Sequence, residues 1–454
     1  MTQKALVALV GRPNVGKSTL FNRIVGRRMA VVSEVPGTTR DRLYAEAEWA
    51  GVAFNLVDTG GIELLTGWGT EPLSQDSQAF MEGIVQQARI AIQDADVVVL
   101  VVDGQVGVTS ADREVAEVLR RSEKPTLVAA NKLESTKLWD QAYEFYELGL
   151  GIVSPVSAVH GTGVGDFLDE LVAVIPPVEP LYETEDTVRI ALLGKPNVGK
   201  STLLNRLLGE ERVIVSPLAG TTRDAIDSRL KWHGQEFTLI DTAGIRRRGK
   251  IEPGVEKYSV LRAIKALDRA DVALLILDAT EGITAQDTHI GGMISQEEVG
   301  VIILVNKWDA VEKDAHSMPE YVNFVRNELK FLPYAPLLFI SAESGQRTGK
   351  IMELVIEVHE ARNKRIPTSQ LNRLMREAVI KHAPPQKGGI RLKFYYATQA
   401  ETVPPTFVFF VNKPELVHFS YQRYLENQIR EFEPFTGTPI RLRFRPRSEE
   451  RYGK

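Results

Sequence analysis

The sequence predicts an α/β chain: two doubly wound, mostly parallel sheets in tandem, followed by a small C-terminal α+β domain. Three observations predict it. GRPNVGKSTLFNR at residues 11–23 returns as GKPNVGKSTLLNR at residues 194–206, continuous Val/Ile/Leu runs alternate with helical stretches in both halves, and the charge balance reverses near residue 363.

The repeat extends well beyond the glycine-rich run. Gly11 maps to Gly194, Gly37 to Gly220 and Asp58 to Asp241 by a shift of 183; Asp103 maps to Asp278 and Asn131 to Asn306 by 175; Ser157 maps to Ser341 by 184. The change of eight falls between DTGGI and DADVVVLVVD, where the first copy carries the polar stretch LTGWGTEPLSQDSQ. The copies are therefore whole domains with altered loop lengths, not short solenoid repeats. ALVALV, FNLVDT, DVVVLVVD and TLVAAN in the first copy match RIALLG, FTLIDT, DVALLILD and VIILVN in the second. Runs without polar alternation belong to strands buried on both faces, hence to a parallel sheet covered by helices. The expected organisation is a first domain over 1–175, a proline-rich acidic linker over 176–187, a second domain over 188–362 and a tail over 363–454. In the tail, TSQLNRLMREAVIKHA, GGIRLKFYYATQ, PPTFVFFVN, SYQRYLENQIREF and PIRLRFRPR predict the order α-β-β-α-β.

Length and composition agree. A chain of 454 residues with 43% apolar content suits two or three cores. No run of 18 apolar residues is present and Met1–Ala5 has no secretory profile, so the expected location is the cytoplasm, away from membranes. The absence of cysteine excludes disulfides, thiolate metal sites and cysteine nucleophiles. The formal charge of −4 conceals an asymmetry: residues 363–454 hold 17 Lys plus Arg against 8 Asp plus Glu, a balance of +9 that leaves −13 for the rest. A basic tail on an acidic body points to a polyanion partner.

GxxxxGK[ST] between a strand and a helix is a phosphate-binding P-loop, here formed by Gly11, Arg12, Pro13, Asn14, Val15, Gly16, Lys17 and Ser18, and again by Gly194, Lys195, Pro196, Asn197, Val198, Gly199, Lys200 and Ser201. Converging backbone N–H groups and the helix dipole attract phosphate, Lys17 and Lys200 bridge its β and γ groups, and the serine hydroxyls suit Mg²⁺. Asp58, Thr59, Gly60, Gly61 and Ile62, matched by Asp241, Thr242, Ala243, Gly244 and Ile245, follow a strand where an aspartate reaches the metal and a glycine N–H reaches the γ-phosphate, a switch that senses hydrolysis. Thr39 and Thr222 are the favoured metal-reaching threonines, with Thr38 and Thr221 next.

Asn306, Lys307, Trp308 and Asp309 end an apolar strand; Asp309 accepts from guanine N1–H and the exocyclic amine, a pair that adenine lacks, while Asn306 and the Lys307 stem hold the ring. The selected nucleotide is GTP. Ser157 and Ala158, like Ser341 and Ala342, supply a backbone N–H for guanine O6. The first copy reads Asn131, Lys132, Leu133 and Glu134, and the extra methylene of Glu134 predicts weaker guanine binding there. Where many small GTPases carry a water-orienting glutamine after the switch glycine, this chain has Ile62 and Ile245, so hydrolysis needs another source of charge. Asn14 and Asn197 are candidates to coordinate a monovalent cation beside the β and γ phosphates, which places them with Lys17 and Lys200 as the catalytic set.

Two P-loop GTPase domains with GxPNVGKS and GTTRD, followed by a basic α-β-β-α-β tail, closely resemble the Der (EngA) family of bacterial double-GTPase ribosome-assembly factors. The resemblance spans nearly the whole chain. It implies a KH-like tail packed against the G domains, GTP hydrolysis coupled to 50S maturation, stimulation by K⁺ through the P-loop asparagines, and two nucleotide switches that set domain arrangement and rRNA binding. The tail departs from a usual KH domain in lacking GxxG; KGG at 387–389 is the nearest run. The expected protein is a monomeric enzyme using Mg²⁺ and K⁺. A nucleotide-gated protein-interaction switch without a ribosomal role is the alternative. The IRRRGK run at 245–250 is either a transmitter of nucleotide state or a solvated loop. RLKFYY and RLRFRPR favour RNA, although strand alternation assigns Phe394, Phe407, Phe409 and Phe444 to a core.

Overall fold

A computed structural model of the chain describes residues 4–26, 44–59, 89, 95–122, 124–176, 187–209, 214–217, 227–242, 260–312, 317–387 and 389–446. Its contacts group into two compact units, residues 1–183 with 257–269 and residues 184–256 with 270–454.

In the first unit, β1 (Ala5–Val10) leads through the P-loop into α1 (Lys17–Val25). Then come β2 (Tyr44–Trp49), β3 (Val52–Asp58), β4 (Val97–Asp103), α2 (Ser110–Arg120), β5 (Thr126–Asn131), a 3₁₀ segment (Thr136–Leu148), β6 (Val153–Pro155) and α3 (Val164–Val174). Among the described residues the strand order is β2-β3-β1-β4-β5-β6, parallel except for β2. The apolar runs face both ways as expected. Val97, Val99 and Val101 enter one core with Phe21, Phe54 and Phe167, while Val98, Leu100 and Val102 enter the other with Leu119 and Phe145.

The second unit repeats this plan with β7 (Val188–Leu193), α4 (Lys200–Gly209), β8 (Ile214–Pro217), β9 (Ser228–Trp232) and β10 (Gln235–Ile240). The helix α5 (Val260–Arg269) groups with the first unit, where Lys265 Nζ lies 2.6 Å from Asp96 and Asp268 accepts from the Lys4 N–H at 2.8 Å. The second unit resumes with β11 (Val272–Asp278), α6 (Ala285–Gln296), β12 (Gly300–Asn306), α7 (Ser317–Glu328), β13 (Leu337–Phe339) and α8 (Lys350–Asn363). The order β13-β12-β11-β7-β10-β9-β8 reproduces the first sheet with one extra edge strand among the described residues. The hairpins β2–β3 and β9–β10 add strands beyond those the apolar runs predict. Each turns on two residues with positive φ, Ala50 (49°) with Gly51 (82°) and His233 (49°) with Gly234 (89°), the geometry whose twist matches paired strands.

The tail has α9 (Thr368–Lys381), a short hairpin of β14 (Gln386–Lys387) and β15 (Ile390–Arg391), β16 (Phe394–Thr402), β17 (Pro405–Val411), α10 (Phe419–Phe432) and β18 (Arg441–Pro446). The hairpin interrupts what was expected as one strand; the rest follows α-β-β-α-β. β17 lies between antiparallel β16 and parallel β18. Phe407 and Phe409 are buried with Leu371, Leu425 and Phe435, and Phe394 and Phe444 pack onto them.

Within the second unit the tail is docked by backbone as well as side chains. Val301 N–H donates to the Gly437 carbonyl at 2.7 Å and Gly437 N–H to the Tyr334 carbonyl at 2.9 Å. Gly437 has φ 67°, and a Cβ there would stand 2.4 Å from Val358 Cγ2 and 2.9 Å from the Val301 carbonyl. The Arg441 guanidinium forks onto the Glu298 carboxylate, and the Arg430 guanidinium lies 4.8 Å from the centre of the Tyr334 ring. Burial pushes the Tyr334 phenol up to about 12.

Candidate nucleotide-binding sites

Both P-loops leave the carboxyl end of a central strand and open a helix, where doubly wound sheets bind ligands. The glycines are needed for close approach. At Gly16 (φ 94°) a Cβ would stand 2.3 Å from Asn131 Nδ2, and at Gly199 (φ 96°) 2.3 Å from Asn306 Nδ2. Those amides donate to the carbonyls of Val15 (2.8 Å) and Val198 (2.7 Å), while their oxygens accept from the N–H groups of Ala158 and Ala342, each at 2.9 Å. Each asparagine thereby ties the P-loop to the Ser-Ala loop. Its expected contact with the ring is joined by a bracing role the sequence did not suggest, and within the Ser-Ala pairs expected to supply an N–H for guanine O6, the Ala158 and Ala342 N–H groups are engaged by these side chains. Arg23 and Arg206, the last residues of the repeated motif, add bonds to the carbonyls of Ala158 (2.8 Å) and Ala342 (3.3 Å).

Lys17 is buried and donates to the carbonyls of Gly11 (2.7 Å) and Arg12 (2.9 Å). Lys200 does the same with Gly194 (2.7 Å) and Lys195 (2.5 Å). Asn14 (φ 66°) and Asn197 (φ 64°) occupy the left-handed region, and both are exposed. Pro13 and Pro196 precede them. Ser18 Oγ lies 2.5 Å from Asp58 Oδ2, so the first site brings together the hard oxygen donors expected for a divalent cation. Thr59 Oγ1 donates to the Leu9 carbonyl at 2.7 Å, whereas Thr242 bonds Ser228 at 2.8 Å. Asp241 has φ 56° and its N–H donates to Asp227 at 3.0 Å. Thr38, Thr39, Gly60, Gly61, Ile62, Thr221, Thr222, Ala243, Gly244, Ile245 and the rest of the run 245–250 lie outside the described residues, as does 177–186 of the linker.

Further positioning residues emerge from the geometry. Lys132 (φ 71°) and Lys307 (φ 59°) reach Asp103 (2.6 Å) and Asp278 (2.5 Å). These repeated aspartates, which had no role from sequence alone, orient the lysine stems. Burial alone would raise Asp278, but bonds from Lys307 and Thr280 outweigh it and hold the carboxyl below its usual range. Lys195 lies 2.8 Å from Glu281 and 3.5 Å from Asp287 in the cap of α6; Arg12 stands 3.8 Å from Asp112 in the cap of α2. Burial would depress the Lys195 ammonium, and its two carboxylates hold it above the ordinary lysine value instead. Leu133 and Trp308 are buried in the loops expected to read the base, Trp308 with its ring centre 4.5 Å from that of Phe339. Glu134 and Asp309 are exposed at the corresponding rim positions.

This geometry accords with the comparisons. A family model described as 50S ribosome-binding GTPase matches residues 6–132 and 189–307, and one described as the KH-domain-like C-terminal domain of EngA bacterial GTPase enzymes matches 365–445. GTPase Der of Pelotomaculum thermopropionicum is 52% identical over 447 residues, covering 98% of this chain and 99% of that protein. The chain belongs to the GTPase Der family. GTPase Der of Chloroflexus aggregans is 51% identical over 98% of this chain and 99% of its own length. Among solved structures, an Aquifex aeolicus Era variant bound to GDP·AlF4⁻ covers 57% of the chain and 93% of its own at 24% identity, with a TM-score of 0.29. As a Der-family GTPase the chain carries two P-loop domains and a KH-like tail, and no helix among the described residues is long and apolar enough to cross a membrane.

Proposed function

We propose that this Der-family GTPase is a cytoplasmic, monomeric factor in maturation of the large ribosomal subunit, with two guanine-nucleotide switches that control how its tail engages rRNA. The observation that carries this reading is the duplication of a P-loop cleft, in which one asparagine braces phosphate loop and Ser-Ala loop together, in a chain whose basic tail is docked on the second cleft's domain.

In each cleft the loop N–H groups and helix N-terminus receive the β-phosphate, and Lys17 or Lys200 moves its ammonium from loop carbonyls to β and γ oxygens. Ser18 and Asp58, and Ser201 and Asp241, are the residues that would hold Mg²⁺, with Thr39 and Thr222 joining in the triphosphate state; the ion would neutralise charge developing on the phosphates. The exposed amides of Asn14 and Asn197, turned outward by a left-handed backbone, offer neutral oxygens that suit K⁺. Glu134 and Asp309 accept from the guanine N–H groups.

Co-sedimentation of the full chain with 50S particles at rising salt tests the reading. Association that depends on nucleotide and falls steeply with salt supports it through phosphate contacts. No association in any nucleotide state overturns it.

A further inference from the structure

The tail sheet has two aromatic rows with different fates. On the inner face, Phe394, Phe409 and Phe444 contact one another, with the Phe409 and Phe444 rings stacked at 5.3 Å and Phe394 6.0 Å from Phe409, and they fill the core. On the other face, Tyr396 pairs across the ladder with Phe410, and Phe410 with Arg445. The Tyr396 and Phe410 ring centres are 5.9 Å apart with planes 40° from one another. A register irregularity between Phe394 and Tyr396 adds a second outward ring, so that Tyr395 and Tyr396 are 45% and 44% exposed. Large aromatic rings left this accessible beside a complete core do not contribute to burial in proportion to their size.

The charge around these rings is basic in excess. Arg391, Lys393 and Arg445 are all exposed, while the acidic side chain further along β16, Glu401, is offset by Arg443 at 3.6 Å. A bulge at the end of a strand re-aims side chains; here it directs two rings outward beside the exposed Arg391, Lys393 and Arg445. We infer that this sheet face is a stacking platform for single-stranded RNA, on which Tyr395, Tyr396 and Phe410 take unpaired bases and Arg445 with Lys393 meets the phosphates. Flat rings serve any base, and guanidinium and ammonium groups neutralise the backbone, so recognition is tolerant of sequence and sensitive to salt. The platform accounts for RNA binding in a tail without GxxG, and it rests on the reading that the tail engages RNA.

The test is fluorescence anisotropy of the full chain with a short labelled oligoadenylate, beside an abasic oligomer of equal charge. Wild-type protein binds the oligoadenylate more tightly than the abasic strand. Tyr395→Ala with Tyr396→Ala weakens oligoadenylate binding about fivefold or more while leaving abasic binding unchanged, and Tyr395→Phe with Tyr396→Phe retains affinity. Arg445→Gln lowers the slope of log affinity against log salt by about 0.7. Unchanged GDP binding and melting temperature in the alanine variant exclude misfolding. If wild-type protein binds RNA and the double alanine variant binds equally well, the platform is wrong while the RNA reading stands. If the wild-type tail binds no RNA under any nucleotide condition, the broader reading fails first. Loss of a ribosomal protein contact with unaltered RNA affinity also overturns the platform and makes this face a protein interface.

Discussion

In the first G domain the Glu134 carboxylate lies 3.8 Å from Nε2 of His160, one residue from the base-reading strand end and the other from the Ser-Ala loop. The equivalent positions in the second domain are Asp309 and Ser344. Glu134 thus has a longer reach and a competing partner at the place where the guanine N–H pair must be met. The first site is expected to bind GDP more weakly than the second, by roughly tenfold, the scale of one imperfect buried hydrogen-bond pair. Glu134→Asp should tighten it and Asp309→Glu should weaken the second site. A fluorescent GDP analogue titrated into variants with the other site disabled by Lys17→Ala or Lys200→Ala measures both; equal or reversed affinities contradict the expectation.

The brace made by Asn131 and Asn306 predicts a joint loss of stability and binding. Asn306→Ala leaves the Val198 carbonyl and Ala342 N–H without their partner, at about 1–3 kcal/mol for each group left unsatisfied. Differential scanning calorimetry should register lower stability and titration a weaker second site. Gly199→Ala is expected to fail at the same place, because its φ of 96° is strained for alanine and its Cβ meets Asn306.

Acid should affect the second base-reading loop through Asp278. Its folded pKa lies below the usual value, so its contribution is present above the unfolded pKa and disappears as pH falls through the folded one. The window is therefore below about 4, the unfolded aspartate value. Asp278→Asn releases Lys307 at every pH and should remove that portion of the acid dependence, which pH-dependent urea unfolding of both proteins would detect.

Gly437 predicts how firmly the tail is held. Gly437→Ala places a methyl group against Val358 and the Val301 carbonyl, so the tail must shift and its two backbone bonds weaken, at about 2 kcal/mol or more. Hydrogen exchange should rise at the amides of Val301 and Gly437 before it rises in β11 or at residues 302–306 of β12; unchanged protection at Val301 and Gly437 would contradict the docking.

The P-loop asparagines carry the prediction on catalysis. GTP hydrolysis should be faster in KCl than in NaCl at equal ionic strength, and Asn14→Ala with Asn197→Ala should abolish that difference while GDP binding persists. A rate indifferent to the cation in the unaltered protein would remove the proposed role.

What was legible in the sequence was whatever local chemistry imposes. Val97–Asp103 and Val272–Asp278 read as doubly buried strands because their runs contain no polar alternation, and the P-loops are specified by glycines whose Cβ atoms would collide with neighbours. YAEAEW before Ala50-Gly51 does alternate, and with its two-residue turn it carries a strand signal weaker than that of the apolar runs. Asp103 and Asp278 were visible as repeated positions, yet their pairing with Lys132 and Lys307 depends on a ladder joining β4 to β5 and β11 to β12. The same holds for His160, Arg23 and Gly437, whose partners are brought near only by tertiary structure. In the tail, strand alternation correctly assigned Phe394 and Phe409 to the core, but a register irregularity cannot be read from composition, and it is this feature that turns Tyr395 and Tyr396 outward.

Both clefts are proposed to hold guanine nucleotides selected by Glu134 and Asp309. Competition of GTP, ATP and XTP for a labelled GDP analogue, in wild type and in Asp309→Asn with the first site disabled, tests it most directly. GTP should displace the analogue at both wild-type sites while ATP does not, and Asp309→Asn should shift preference from GTP towards XTP; displacement by ATP on equal terms at both sites would rule out guanine selection.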